Sequence, residues 1–227
     1  MFANVGHVYG AEDAQLSDGS YVEHILMPLV GMDDSDPQEL PLVVLWAAGG
    51  LRVRQYPCQF APYLVFLARL RPQSYMEIGC GNGGTFALTT AYLRRTGSLR
   101  KGVAVDVADS PVASYCLGAT ASDCDLWFVK QSCDSEAFKQ FMLSNAFDVV
   151  FIGSDPGSVE FVCARVLVFF GIFGKASEMW LHLRRDEPEQ YLFYEFTGQY
   201  AEVLVKNGGR PCFGIGVAVT VFPPSVA

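Results

Sequence analysis

Glu77-Ile78-Gly79-Cys80-Gly81-Asn82-Gly83-Gly84-Thr85 decides the fold, together with the apolar run over 75–78 that leads into it. A short strand runs straight into a glycine turn, and helical spacing resumes over 85–95, closed by Gly97. Gly79, Gly81 and Gly83 let the backbone turn tightly and approach a ligand with no Cβ in the way. The helix N-terminus behind them adds free N–H groups and a partial positive charge. Gly79, Gly81 and Gly84 also satisfy GxGxxG, so the glycines alone do not name a ligand. A tight strand-to-helix turn without a ligand uses the same residues.

Working outward, Phe60, Leu64, Leu67, Ala68 and Leu70 predict a helix over 59–70. Arg71-Pro72 stops it, because the residue before proline avoids the helical region. A second strand is predicted over 102–107, and Ser110-Pro111 is a good cap and first-turn pair for the next helix. A third strand over 126–130 precedes a helix capped by Asp134 or Ser135 and reaching about Asn145. Phe147–Ile152 is a continuous apolar run, as in a buried parallel strand. Beyond it the pattern predicts a helix over 158–170, a strand over 178–183, and a helix opened by Pro188. That last helix would carry Leu192, Phe196 and Tyr200 on one face and end at Asn207-Gly208-Gly209. A β segment over 213–222 follows. Strands alternating with helices at these lengths define an α/β protein with a mostly parallel sheet. Residues 1–51 are the least regular part and read as an arm, a lid or an oligomer contact. Residues 52–227 read as one domain.

Composition narrows the class. The 227 residues are 51% hydrophobic and 13% aromatic, with only 18% charged, which excludes disorder over most of the chain. The net charge of −8 has the wrong sign for a protein that neutralises phosphates, so a nucleic-acid partner is not expected. Cys58, Cys80, Cys116, Cys124, Cys133, Cys163 and Cys212 form no CxxC pair, so spacing supports no zinc site. The sequence opens without a basic stretch followed by an apolar one, and the thiols read as reduced and cytoplasmic. The greasiest run, 166–173, is far shorter than the roughly 20 residues of a membrane span, so no membrane partner is expected.

Two carboxylates sharpen the reading of the glycine turn. Glu77 ends an otherwise apolar strand, where a carboxylate is costly unless it accepts hydrogen bonds. Asp106 ends the second strand, where a carboxylate can accept both hydroxyls of a ribose. With these in place, the segment 77–85 resembles the first motif of class I S-adenosylmethionine-dependent methyltransferases. Val103-Ala104-Val105-Asp106 is similar to the second-strand motif of that family, and Phe147–Ile152 to its fourth strand. Gln55-Tyr56-Pro57, with Gln59-Phe60 and the helix that follows, resembles the lead-in of small O-methyltransferase-like members.

The resemblance implies a Rossmann-like, doubly wound sheet with an antiparallel C-terminal strand. It implies S-adenosylmethionine as cofactor, contacted by Glu77, Gly79, Cys80, Gly81, Gly83, Asp106, Val107, Gln131 and Ser132. Asp106 would hold the ribose, and Gln131 and Ser132 would lie near the adenine. Asp155, just beyond the fourth strand, is the first candidate for a general base, and His182 the second. Asp155 could equally cap a helix near Ser158, and loop polarity alone could explain Gln131 and Ser132. Metal-dependent relatives carry an Asp-rich segment after the fourth strand. In this chain Gly153 replaces its first carboxylate and Pro156 its histidine, so no metal site is expected. The function implied is methyl transfer to a small-molecule acceptor, at a hydroxyl oxygen, by a protein compatible with homo-oligomer formation. The competing readings are a catalytically degenerate methyltransferase-fold binding module and a nicotinamide-dinucleotide oxidoreductase.

Overall fold

The computed structural model describes residues 4–32, 43–44, 51–53, 55–153, 164–170, 191–196 and 215–220. The chain opens with α1 (Gly6–Gly10), α2 (Asp13–Ser17) and α3 (Gly19–Tyr21). A π-helical turn, Val22–Leu26, leads into α4 (Met27–Leu29). The two-residue strands β1 (Val43–Val44) and β2 (Arg52–Val53) pair antiparallel. Then come α5 (Pro57–Leu70), β3 (Ser74–Ile78), α6 (Gly84–Arg95), β4 (Lys101–Asp106) and α7 (Val112–Ala119). β5 (Asp125–Lys130), α8 (Glu136–Ser144) and β6 (Phe147–Ile152) follow. β7 (Ala164–Phe170), β8 (Tyr191–Phe196) and β9 (Ile215–Thr220) complete the described elements.

The main sheet has the order β5-β4-β3-β6-β7-β9-β8. The first five of these strands are mutually parallel, while β9 runs antiparallel to both β7 and β8. The chain starts in the middle of the sheet, winds out through β4 and β5, then returns to build the other half from β6. That reversal lies between β3 and β6, and it fixes where an open α/β sheet has its ligand crevice. The first turn of the β3–β6 pair is locked reciprocally. Asp148 Oδ2 accepts the amides of Gln73 at 2.7 Å and Ser74 at 3.0 Å, and the Asp148 amide donates to Ser74 Oγ at 2.8 Å.

Period-two alternation divides the core between the two faces of the sheet. Tyr75 on β3, Ala104 on β4, and Val149 and Phe151 on β6 pack with α5, α6 and α7. Met76, Ile78, Val103, Val105, Val150 and Ile152 pack on the opposite face with Phe138 and Met142 of α8. Within α5, Phe60, Tyr63, Leu64 and Leu67 are fully buried at the i, i+3, i+4, i+7 spacing of a one-faced helix. The helix ends at Arg71 as anticipated, but by a different device. Arg71 is left-handed, with φ 50° and ψ 53°, rather than extended, and its N–H bonds to Ala68 O. Such a conformation costs a non-glycine residue roughly 1–2 kcal/mol.

Three expectations are corrected. The helix predicted over 158–170 is instead strand β7 across its second half, where Val166-Leu167-Val168-Phe169-Phe170 is a β-branched and aromatic run. The helix predicted from Pro188 is instead strand β8 over 191–196, whose Tyr-Leu-Phe-Tyr-Glu-Phe is aromatic-rich in the same way, and the rest of that prediction lies outside the described residues. The N-terminal stretch expected to be irregular is helical over most of 6–29. Val8, Leu16, Val22, Leu26, Met27, Val30 and Met32 join the same apolar cluster as Phe60, Leu64 and Tyr92. The Tyr92 hydroxyl donates to Leu16 O, and Arg95 reaches both Asp13 Oδ1 and Ala11 O, which ties α2 to α6. The strand predicted over 178–183 lies outside the described residues.

Gly83 separates the packing demands on the turn from its conformational ones. It has φ 77°, and an added Cβ would lie 2.2 Å from Val112 Cβ, whereas one at Gly81, φ 53°, meets nothing within 4 Å. Gly83→Ala should therefore lose roughly 2–5 kcal/mol of stability, strain and overpacking together, against roughly 1–2 kcal/mol of strain alone for Gly81→Ala. Urea denaturation of both variants checks the ordering.

Candidate functional site

The glycine turn is pinned to the end of β4. The amides of Gly79 and Cys80 both donate to Val105 O, at 2.9 and 3.1 Å, and the Gly83 amide donates to Cys80 O at 2.8 Å. Gly81, at the exposed tip, is held by both of its polar atoms. Its N–H donates to Asp106 Oδ2 at 2.7 Å, and its carbonyl accepts from Ser110 Oγ at 2.6 Å. The same Ser110 oxygen accepts the Val112 amide at 3.3 Å, so one hydroxyl caps α7 and braces the loop. The sequence reading assigned Ser110 only the cap. The free N–H groups expected in the turn itself are mostly engaged internally, and those left to a ligand belong to the first turn of α6.

Asp106 is half-buried, and its Oδ1 also accepts the Ala108 amide at 3.0 Å. A carboxylate offers about four lone-pair sites, so two amide donors leave room for hydroxyl donors on the open side. Val107 beside it is 65% exposed. The Gln131 amide donates to Asp106 O at 2.8 Å, which brings the ends of β4 and β5 to one rim. Ser132 is exposed. Its side chain accepts the Asp134 amide and its carbonyl accepts from Ser135, so its described bonds build the entry to α8.

Glu77 lies under the turn with only 2% of its surface exposed. Period two places it on the face of Tyr75, whose hydroxyl donates to Glu77 Oε2 at 3.0 Å. Gln55, Gln59, Tyr63 and Thr89 are likewise buried polar side chains. Tyr63 from α5 lies within electrostatic reach of Glu77 and Tyr75, and its ring meets that of Phe151 edge-on. Burial pushes the Glu77 carboxyl up to about 8; the nearby Asp106 charge adds to this and the Tyr75 hydrogen bond opposes it. Burial likewise holds the Cys80 thiol well above the ordinary range, with Glu77 and Asp106 contributing, so Cys80 serves the turn as a packed neutral group.

Gly153 closes the site from β6. Its amide donates to Ile78 O at 2.8 Å, and an added Cβ would sit 3.0 Å from Gly79 O. A side chain at this position would therefore press on the turn, because the backbone of β6 crowds it. Among the described residues no cluster of metal-ligating side chains occurs. Asp155 and His182 lie outside the described residues. The structure therefore brings together Glu77, Gly79, Cys80, Gly81, Gly83, Asp106, Val107 and Gln131 at the carboxyl ends of β3, β4 and β5. Ser110, Tyr75 and Gly153 join them; the sequence reading had named Ser110 only as a cap and Gly153 only as a replaced carboxylate, and had given Tyr75 no part in the site.

This arrangement defines a doubly wound α/β protein whose switch point lies between β3 and β6. The order β5-β4-β3-β6-β7-β9-β8, with β9 antiparallel, is the class I methyltransferase fold. The chain superimposes on the O-methyltransferase from Bacillus cereus, solved in complex with SAH, at 14% identity and a TM-score of 0.51. The match covers 96% of this chain and 97% of that one. SAH-bound methyltransferase PaMTH1 from Podospora anserina matches at 12% identity and TM-score 0.47, over 93% of this chain and 89% of that one. A methyltransferase from Geobacter sulfurreducens matches at 14% and 0.46, over 71% of this chain and 77% of that one. The fold assignment rests on the first of these and on the strand order. No protein-family model and no curated protein matches the chain.

The raised Glu77 carboxyl has a consequence for stability. A carboxyl near 4.5 in the unfolded chain and about 8 in the folded one stabilises the fold fully below pH 4.5. That contribution is lost as pH rises through about 8. Glu77→Gln, which keeps the shape and cannot ionise, should flatten this part of the profile. Thermal unfolding of both proteins from about pH 5 to about pH 9 checks it, and parallel curves would show that Glu77 is already ionised in the fold.

Proposed function

We propose that the protein is an S-adenosylmethionine-dependent methyltransferase acting on a small-molecule acceptor at a hydroxyl oxygen. The observation that carries this reading is the Asp106–Gly81 clasp at the switch point. It presents a carboxylate with spare acceptor capacity next to a turn whose tip has open space where a Cβ would be. These residues fit the cofactor. Asp106 would accept the ribose hydroxyls, and Gly79 and Gly81 would border the amino-acid end. Gln131 and Ser132 would flank the adenine. Glu77, neutral in the free protein, would gain a cation to pair with when an ammonium group lies above the turn.

When bound, the cofactor supplies a methyl carbon activated by positive sulfur. The chain's own contribution is alignment and exclusion of water, worth on the order of 7–11 kcal/mol of barrier. A hydroxyl acceptor also needs a base, which contributes about 10²–10⁴-fold. Asp155 and then His182 are proposed for that role from their places in the sequence. The acidic chain and the scattered cysteines, none in a CxxC pair, support action on small molecules in a reducing compartment, the cytoplasm.

A second reading has its own observation. Gly153 occupies a position where metal-dependent relatives place a carboxylate, and its backbone is tied to Ile78, which favours a fold that binds the cofactor or a partner without turnover.

Calorimetric titration with S-adenosylmethionine and S-adenosylhomocysteine, with NADH as control, tests the reading. Micromolar binding should weaken at least tenfold, about 1.4 kcal/mol, in Asp106→Ala. Failure of both adenosyl ligands to bind folded protein overturns the cofactor assignment. Binding with no turnover over a broad acceptor panel favours the second reading. With an acceptor in hand, Asp155→Asn should lower kcat by about 10²–10⁴.

A further inference from the structure

At the opposite end of β3 from the glycine turn, α2, the last turn of α5 and the cap of α6 border an open cleft of about 290 Å³, at which Arg69 and Arg71 are exposed. Leu16, Val65 and Ala68 give it apolar wall, while Asp13, Arg69 and Arg71 bring charge to it. Open α/β sheets bind their main ligand beyond the carboxyl ends of the strands, and this cavity lies at the amino ends. The five residues of β3, at about 3.3 Å each, separate the two places by roughly 16 Å.

The charges in the cavity are unbalanced. Asp13 is taken by Arg95, at 2.6 Å. Arg69 and Arg71 have no ion-pair partner among the described residues. Arg69 lies in the last turn of α5, where a cation also suits the helix dipole. Dipole compensation does not account for Arg71, which lies past the helix end. Arg71 is the only described non-glycine residue with positive φ, and it precedes Pro72, a context that ordinarily favours extended backbone. Glycine is the usual occupant of such a cap and adopts it freely. A strained cap that carries an unpaired guanidinium to the wall of a half-apolar cavity is best explained by something the guanidinium holds.

We propose that this cavity binds a small organic anion, with Arg69 and Arg71 on a phosphate or carboxylate group and Leu16, Val65 and Ala68 against its apolar body. Guanidinium forks match both oxyanions, and the planar donor set is suited to either. Because α2, α5 and α6 all border the cavity, the bound anion fastens the N-terminal helices to the rest of the fold.

The test uses the full chain at low ionic strength, with phenyl phosphate and benzoate as probes and benzyl alcohol as the neutral control. Saturable calorimetric binding is expected for at least one anion, with a rise in Tm, and none for the alcohol. The preferred probe tells phosphate from carboxylate. Arg71→Gly should raise the Tm of the free protein, because it relieves the strained cap, while weakening anion binding at least tenfold. Arg69→Ala should weaken binding without that gain in Tm, and Arg71→Lys should retain part of it. The proposal is overturned if neither anion saturates below about 10 mM, where affinity is already weaker than a specific site requires. It is equally overturned if the alcohol binds as well as the anions, if Arg71→Gly binds normally, or if Arg71→Gly lowers the Tm.

Discussion

The peptide of Gly81 is where the central strands, the turn and α7 meet. Its N–H is held by Asp106 and its carbonyl by Ser110, both contributed by the segment that leaves β4. The two amides before it are anchored on Val105 O, so the turn after β3 is shaped by the strand next door rather than by its own sequence. Glycines make that shape possible, and β4 makes it specific. The same interaction brings a carboxylate to the switch point, the rim where open α/β sheets take their ligands. Fold and candidate site therefore depend on one set of hydrogen bonds.

Beneath the turn, Glu77 shows how a sheet can keep an acid in its core. With no cation paired to it among the described residues and one hydroxyl donor at 3.0 Å, the neutral form is the cheaper one to bury. Its surroundings are supplied by α5 as well as by β3, which gives the helix before the sheet a role beyond covering it. Tyr63 does double duty there, sharing the polar pocket and packing its ring on Phe151 of β6. The pocket consequently links the strand that carries the turn to the strand whose Gly153 closes it.

The sequence made the first half of the sheet legible because there each strand is bounded by glycine, proline or a capping residue and each helix shows a full apolar stripe. The turn, Glu77 and Asp106 were readable for the same reason. Gly153 looked like a lost carboxylate; what the one-dimensional pattern could not reveal was the backbone of the turn lying 3.0 Å from its missing Cβ. Ser110 was visible as a cap but not as a brace, since its second partner is 29 residues away. The N-terminal helices were missed because each is too short to display periodicity, and their burial depends on Phe60, Leu64 and Tyr92 as well as on one another. β7 and β8 were misread where apolar and aromatic runs satisfy helical and strand spacing alike; long-range pairing with β9 decides between them.

That pairing has a consequence for the order in which the molecule can be assembled. β9 lies between β7 and β8, so of the described strands the latest in the chain is an interior one and β8, which precedes it, takes the edge. During synthesis at roughly 5–20 residues per second, β3 to β7 can pair as they emerge, but the described partner of β8 is missing until residues 215–220 leave the ribosome. For that interval the nascent chain carries an unsatisfied β7 edge and a loose aromatic strand. Both are templates for the wrong partner. Joining β7 to β8 is thus a late, single insertion, and β9 acts as the keystone of translation as well as of the described sheet.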